Sequence, residues 1–123
     1  MIAKRYSKGY RLERAARSCL EDRGYFVIRS AGSKSPVDLI AIRRGPRTAA
    51  EAFRGGRVLF VQCKATPRGL SAGEWNTFWL LADDCDALPV LCGREDRQPM
   101  TWHLITGRRE PYSRDPPAHL FAP

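Results

Sequence analysis

Two apolar stretches of the chain, residues 37–42 and 58–64, each carry polar side chains at one point. Asp38 stands near the start of the first stretch, and Gln62 and Lys64 stand near the end of the second. Both stretches have the length and composition of β-strands, and alternate residues of a strand point to the same face. If the two strands pair, a carboxylate, an amide oxygen and an ammonium group converge. Such a set could hold a divalent cation and polarise a phosphodiester.

The apolar periodicity predicts the elements that position these side chains. The predicted elements are a helix that ends at Gly24, strands at 25–29, 37–42 and 58–64, a helix at 71–81, and strands at 88–92 and 101–105. Ser71 and Glu74 have the spacing of a capping box, which marks the start of the second helix. The aromatic face of that helix, formed by Trp75, Phe78 and Trp79, is predicted to be core or a dimer surface. The order of elements predicts an α/β fold with a central mixed five-stranded sheet flanked by helices.

The length and charge of the chain limit its organisation and its partners. A chain of 123 residues fits one domain, here residues 1–123. Lys and Arg exceed Asp and Glu by 21 to 13, a formal net charge of +8, which favours nucleic acid as the partner over a merely basic protein. Residues 1–9 are predicted to be a basic arm with a turn at Gly9. Residues 107–123 contain several prolines and are predicted to be an irregular tail.

The cysteine pattern and the hydropathy exclude other classes. The four cysteines form no C-x-x-C pair, which disfavours a zinc site and indicates small buried side chains in a reducing compartment. The chain has no apolar run long enough to cross a membrane and no signal-peptide core. We therefore expect a cytoplasmic protein with no membrane partner.

Residues around the two strands match the pattern of a known family. The matching positions are Lys8-Gly9, Glu13-Arg14, the stretch 29–34, Asp38, Gln62 and Lys64. With them the chain closely resembles the archaeal-type Holliday junction resolvases, which belong to the PD-(D/E)xK superfamily of restriction-endonuclease-like nucleases. The resemblance is strong from about residue 8 to residue 64, weaker through 70–91 and absent from the tail.

The resemblance implies a Mg²⁺-dependent endonuclease, with Mn²⁺ as an alternative ion, that resolves four-way DNA junctions by paired symmetric nicks. It also implies a homodimer with two active sites acting on branched double-stranded DNA, and a restriction-endonuclease-like fold. The implied metal ligands are Glu13, Asp38, Gln62 and the backbone carbonyl of Cys63. Lys64 would stabilise the nucleophile and the developing charge, and Ser33 would lie near the metal. The resemblance also implies that Arg14 and Arg29 contact DNA phosphates or support the site. The basic arm and the turn after residue 29 add Arg5, Lys8, Ser30 and Lys34 as candidate DNA-binding residues.

Three features of the sequence leave alternatives open. Family members typically have Glu at the position of Gln62, so this chain has one fewer negative charge for a hard cation. Glu13 could instead form an exposed ion pair with Arg17, four residues along the helix. The connection 43–57 is rich in arginine and could be a solvated loop or a DNA-contacting flap. Two other functions also fit: a restriction-like, repair or flap nuclease on the same scaffold, or a catalytically silent DNA-binding module.

Overall fold

The computed structural model describes residues 2–30, 35–43, 57–64, 69–95 and 97–123, with side chains of the first helix described from Tyr10 onward. Two helices and six strands follow in the order α1 (Ile2–Asp22), β1 (Tyr25–Arg29), β2 (Leu39–Arg43), β3 (Arg57–Lys64), α2 (Ala72–Asp84), β4 (Leu88–Gly93), β5 (Thr101–Ile105) and β6 (Ala118–Leu120). The predicted strands and the second helix are confirmed, and each of their ends lies within three residues of its predicted position. No described helix is long and apolar enough to cross a membrane.

The strands form one six-stranded sheet in the order β1-β2-β3-β4-β5-β6. β3 and β4 are parallel, and every other neighbouring pair is antiparallel. A parallel pair requires a crossover connection, and α2 lies between β3 and β4 in the chain. The sheet is therefore mixed, as predicted, and its flanking helices give an α/β fold.

Each face of the sheet carries its own apolar core. On one face, α1 contributes Leu12, Ala16 and Leu20, which repeat every four residues and pack on alternate side chains of β1 to β5. On the opposite face, Trp75 and Phe78 of α2 pack with side chains of β4 and β5. The aromatic face of α2 is thus core. Its start is confirmed at Ser71, where both hydrogen bonds of the capping box are present.

The N-terminal segment does not form an arm with a turn at Gly9, because α1 already begins at Ile2. A glycine inside a helix costs only about 0.5–1 kcal/mol relative to alanine, and a packed helix downstream can propagate through it. The helix ends at Asp22, and Gly24, the predicted stop, follows two residues later with a φ of +89°. That left-handed conformation is one that glycine adopts without steric cost.

The C-terminal segment is not wholly irregular, and the sheet has six strands where five were predicted. β6 pairs antiparallel with β5, with His103 opposite Leu120. The Trp75 Nε1–H donates to the Gly107 carbonyl at 2.9 Å, and the Arg109 N–H donates to Asn76 Oδ1 at 2.7 Å. These bonds tie residues 107–109 to α2. The prolines near β6 led to the prediction of an irregular segment, because proline lacks a backbone N–H for a sheet. β6 forms beside them because a three-residue strand at the edge of a sheet needs few backbone donors.

Candidate active site

The residue before β2 meets the end of β3 at one end of the sheet. The backbone N–H of Asp38 donates to the Val61 carbonyl at 2.8 Å, and the carbonyl of Asp38 accepts from the Ser30 N–H at 2.9 Å. β2 and β3 are antiparallel, with Leu39 opposite Val61. The predicted pairing of the two strands is therefore confirmed, and it places Asp38 beside Gln62.

An open pocket of about 620 Å³ lies at this end of the sheet. Its walls are Ser35, Pro36, Asp38, Gln62, Cys63, Lys64, Gly73, Glu74 and Thr77. Three of the residues predicted to act together, Asp38, Gln62 and Lys64, thus line one cavity, with the first turns of α2 opposite them. The side chain of Cys63 instead packs against the core on the α1 face, so it points away from its two neighbours as predicted.

Asp38 is held by the backbone of β3 and is partly removed from water. The Cys63 N–H donates to Asp38 Oδ2 at 2.7 Å. Burial raises the pKa of Asp38 above its ordinary value, and the nearby negative charge of Glu13 raises it further. The hydrogen bond from Cys63 and the positive charges of Lys64 and Arg29 oppose this rise in the pKa. A cation bound beside Asp38 would stabilise the ionised form of this partly buried carboxylate.

Gln62 is the one polar residue that is buried in the described part of the chain, with 7% of its surface exposed. Its Oε1 has no hydrogen-bond partner among the described residues. A buried polar atom without a partner is rare in folded proteins, because it has lost its bonds to water and gained none in exchange. Gln62 Oε1 therefore has the environment expected of a ligand atom.

The oxygen atoms of the pocket fit a hard divalent cation. Among the described residues no three His, Cys, Asp or Glu side chains are grouped to hold a metal ion. A site here would use the Asp38 carboxylate, Gln62 Oε1 and the Cys63 carbonyl. Mg²⁺ prefers such oxygen ligands, keeps several of its waters and is commonly held by one or two carboxylates. The Cys63 thiol packs against the core on the α1 face and so points away from these oxygens, and a hydrogen bond with Cys92 and burial raise its pKa.

Lys64 is paired across the pocket with a residue that the sequence suggested only as a helix cap. Its Nζ lies 3.9 Å from Oε2 of Glu74, in the first turn of α2. The position of Glu74, at the start of the helix that follows the Lys64 strand, is the sequence signal that could have placed it at the site. Because the capping box already accounts for a glutamate at this position, the sequence did not suggest a second role for Glu74.

Glu13 lies near the pocket but outside its walls. It accepts a hydrogen bond from Arg29 Nε at 2.7 Å, and only 17% of its side chain is exposed. The alternative ion pair with Arg17 is wrong, because Arg17 pairs with Glu21 instead. Glu13 borders a neighbouring cavity of about 290 Å³. Its negative charge nevertheless acts on Asp38, and its place among the metal ligands stays a prediction.

The predicted DNA-binding residues are placed in part. Arg14 and Arg29 both lie over the ring of Tyr10, at 5.6 and 5.2 Å from its centroid, which holds the two guanidinium groups on one surface. Ser30 directly follows β1. Arg5 and Lys8 lie on α1, but their side chains are outside the described residues. Ser33, Lys34 and residues 44–56 of the arginine-rich connection are also outside the described residues.

Comparison with known proteins extends these observations. A sequence model of the family described as "Archaeal holliday junction resolvase (hjc)" matches residues 4–68. The curated protein "Crossover junction endodeoxyribonuclease Hjc" of Methanocaldococcus jannaschii is 42% identical over 64 residues, which are 52% of this chain and 39% of that protein. The match thus spans about two fifths of the relative's length. The solved structure of Archaeoglobus fulgidus Hjc, titled a Holliday junction resolvase from an archaeal hyperthermophile, has a TM-score of 0.55 at 24% identity and covers 76% of this chain and 74% of that one.

The mixed sheet, with Asp38, Gln62 and Lys64 at one end of its antiparallel strands, defines a restriction-endonuclease-like α/β protein. The structural likeness supports the same fold. The family match covers more than half of the chain and includes all of these positions. The chain belongs to the archaeal Holliday junction resolvase family.

Proposed function

We propose that this chain is a single nuclease domain that resolves four-way DNA junctions by metal-dependent hydrolysis, with paired nicks made by a homodimer. The observation that carries the proposal is the convergence of Asp38, the unpartnered Gln62 Oε1 and Lys64 in one open pocket. The relatives of this chain are described as junction resolvases, and the arrangement of the pocket suits the hydrolysis of a phosphodiester.

Each side chain of the pocket has a distinct part in this reaction. Asp38, Gln62 and the Cys63 carbonyl would hold Mg²⁺, with Mn²⁺ as an alternative ion. The bound ion would neutralise the scissile phosphate and make a water a better nucleophile. The ammonium of Lys64 can donate hydrogen bonds to the attacking water and to the phosphate oxygens, where negative charge develops. Water attacks phosphorus, the bond to the leaving oxygen breaks, and a proton passes to that oxygen.

Glu13, from outside the walls of the pocket, and Ser33 are proposed to support this chemistry. Glu13 would act through its charge, which already influences Asp38, while Arg29 keeps its carboxylate in place. The proposed phosphate contacts are Arg5, Lys8, Arg14, Arg29, Ser30 and Lys34. The pairing of Arg14 and Arg29 over Tyr10, beside the cavity that Glu13 borders, supports a basic surface next to the site.

An exposed apolar surface supports the homodimer. Phe26 of β1 and Ile42 of β2 are cross-strand partners, and Ile28 is paired with Ile40. Phe26 is 68% exposed and Ile28 is 44% exposed, on the face of the sheet that carries α2. Because α2 packs on β4, this part of the face has no helix over it in the described structure. A second copy of the chain would bury these side chains and place two active sites on one junction.

A cleavage assay on an end-labelled four-way junction with Mg²⁺ or Mn²⁺ tests the proposed function. The unaltered chain is expected to nick opposite strands symmetrically, and Asp38→Ala and Lys64→Ala are expected to cut at least about 100-fold more slowly. Junction binding, measured without cleavage in EDTA, should change little because it comes from phosphate contacts over the wider basic surface. Loss of binding in parallel with cleavage would contradict the catalytic assignment of these two residues.

The same assay separates the two rival functions. Cleavage of a linear duplex or a flap in preference to the junction would identify another nuclease of this fold. Junction binding without cleavage at any metal concentration would identify a silent DNA-binding module, and Gln62 would then be the cause of the lost activity.

The four free thiols suit a reducing compartment, and we propose the cytoplasm as the place of action.

A further inference from the structure

The charge of the pocket depends on a residue of α2. Asp38 contributes one negative charge and Lys64 one positive charge, so these two cancel, and Gln62 is neutral. Among the described residues that line the pocket, Glu74 is the only other side chain that carries a charge. These described lining residues together carry one net negative charge with Glu74 and none without it. A divalent cation needs such a charge, because neutral oxygens alone hold it weakly.

The first turn of α2 fixes the position of the Glu74 carboxylate. The Glu74 N–H donates to Ser71 Oγ at 3.1 Å, and the Ser71 N–H donates to Glu74 Oε1 at 3.3 Å. These two bonds leave Oε2 directed toward Lys64 Nζ, 3.9 Å away. The hydrogen bonds with Ser71, followed by the positive charge of Lys64, lower the pKa of Glu74. The carboxylate is therefore ionised at neutral pH and held at the rim of the pocket.

An independent observation indicates that a ligand belongs in this pocket. Gln62 is more than nine-tenths buried and lines the same cavity as Glu74, yet its Oε1 has no partner among the described residues. A cation in the pocket would satisfy that oxygen. Gln62 from β3 and Glu74 from α2 thus line the same pocket.

We propose that Glu74 is, beside Asp38, the second acidic residue that lines the cation pocket, supplying from α2 the negative charge that Gln62 does not supply from β3. The inference rests on the proposed function, since it concerns the metal of that reaction. Mg²⁺ keeps several waters when a protein binds it, so a carboxylate at the rim can act through those waters. The pocket is large enough for a hydrated ion.

A purely structural role for Glu74 makes a different prediction. In a capping box, glutamine at the third helical position serves as well as glutamate, because its side-chain oxygen accepts the same backbone hydrogen bond. Glu74→Gln therefore keeps the cap and removes only the charge. Ser71→Ala is the matched control, because it weakens the cap and leaves the charge at position 74.

Isothermal titration of the full chain with Mn²⁺ and with Mg²⁺, without DNA, tests the inference, and thermal melts in EDTA check that each variant folds. Glu74→Gln is expected to lose about tenfold or more in cation affinity with little change in melting temperature. Ser71→Ala should show the reverse, a lower melting temperature with cation affinity within about threefold of the unaltered chain. The double variant Gln62→Glu with Glu74→Gln moves the charge back to β3, and it is expected to regain most of the lost affinity.

Cation affinity that is unchanged in Glu74→Gln overturns the inference, as does an unaltered chain that binds neither ion at millimolar concentrations. A loss in Glu74→Gln that the double variant does not recover also overturns it, because the lost quantity would then not be the charge. These results are separate from the proposed function. A chain that loses cation affinity as described but never cuts a junction supports the role of Glu74 and contradicts the proposed activity.

Discussion

The backbone N–H of Cys63 donates a hydrogen bond of 2.7 Å to the carboxylate of Asp38, which joins the end of β3 to the residue before β2. This bond links the two halves of the pattern that the sequence displays as separate stretches. It also fixes one carboxylate oxygen of Asp38, so the other is left to the pocket. The carboxylate is positioned before any ligand arrives, which reduces the cost of ordering it on binding.

The pKa of Asp38 leads to a prediction about stability in the absence of metal. Because burial raises this pKa, the folded protein binds the proton more tightly than the unfolded chain does. The free energy of unfolding therefore falls as pH rises from the ordinary value of 3.8 through the raised pKa, and the ionised group opposes folding at every higher pH. Asp38→Asn has no such charge, and its side-chain oxygen can still accept the Cys63 bond.

We expect Asp38→Asn to melt at a higher temperature than the unaltered chain at pH 7 in EDTA, with the difference disappearing below pH 3.8. Thermal melts followed by circular dichroism across this pH range measure the effect. Glu95→Gln, which alters an exposed carboxylate in the connection between β4 and β5, is the control and should change little. A lower melting temperature for Asp38→Asn at pH 7 would mean that the Cys63 hydrogen bond to the ionised carboxylate, with the attraction of Lys64 and Arg29, outweighs burial.

The elements were predictable from the sequence where local signals and tertiary packing agree. Leu12, Ala16 and Leu20 repeat at helical spacing and are buried in the structure. Ser71 and Glu74 give the second helix its start. β6 could not be predicted, since it depends on backbone groups of β5 that are distant in the chain, and no apolar alternation marks its three residues.

The site was predictable as far as strand pairing determines it. The alternation of β3 places Gln62 and Lys64 on one face, and register with β2 adds Asp38. The partner of Glu13 was not predictable, because helix spacing suggests Arg17, whereas the fold brings Arg29 Nε to 2.7 Å from Glu13 Oε1. Spacing within a helix gives no information about a contact between a helix and a strand. Glu74 was missed for a related reason, since its local hydrogen bonds already accounted for it.

The basic surface should make DNA binding strongly dependent on salt. Each true phosphate contact releases about one counterion, so its neutralisation reduces the slope of log K against log salt by about one unit. We expect this reduction for Arg14→Gln, whose side chain is exposed beside Tyr10. Arg29→Gln should reduce the slope by less, because Glu13 already neutralises part of the Arg29 charge.

Fluorescence anisotropy with a labelled junction at several salt concentrations measures these slopes in EDTA. Arg114→Gln is the matched control, because Arg114 borders a different cavity, on the C-terminal segment. A slope that is equal for all three variants and the unaltered chain would leave solubility as the only role of these arginines.

The exposed apolar surface of β1 and β2 should hold two copies together. Phe26→Asp places a charge at the centre of this surface, where a dimer would have to bury it without a partner, and this costs far more than the loss of contact alone. We expect the variant to be monomeric at micromolar concentration while keeping its fold. Analytical ultracentrifugation measures the state of assembly. Tyr112→Asp, at a side chain that is 97% exposed in the C-terminal segment, should remain dimeric.

A monomeric Phe26→Asp variant has a further consequence for catalysis. Paired nicks require two active sites on one junction, so the variant is expected to cut single strands independently and to release fewer fully resolved products. Gel analysis of nicked and resolved products over time distinguishes the two outcomes. If Phe26→Asp stays dimeric, the second copy binds elsewhere and this surface has another role.

Restoring a carboxylate at position 62 should have opposite effects on the metal-free and metal-bound protein. Gln62 is 7% exposed and adjoins Asp38 in the pocket, so Gln62→Glu buries a second negative charge beside the first. Without metal this charge has no full partner, and the variant should melt at a lower temperature at pH 7 in EDTA. With metal the added charge attracts the cation, so the Mg²⁺ concentration for half-maximal cleavage should fall by about tenfold.

Melts of Gln62→Glu in EDTA and in Mg²⁺, together with a metal titration of junction cleavage, measure both effects. A variant that is inactive at every Mg²⁺ concentration would instead show that the Gln62 amide donates a hydrogen bond to the substrate or to another ligand, a role that a carboxylate cannot fill.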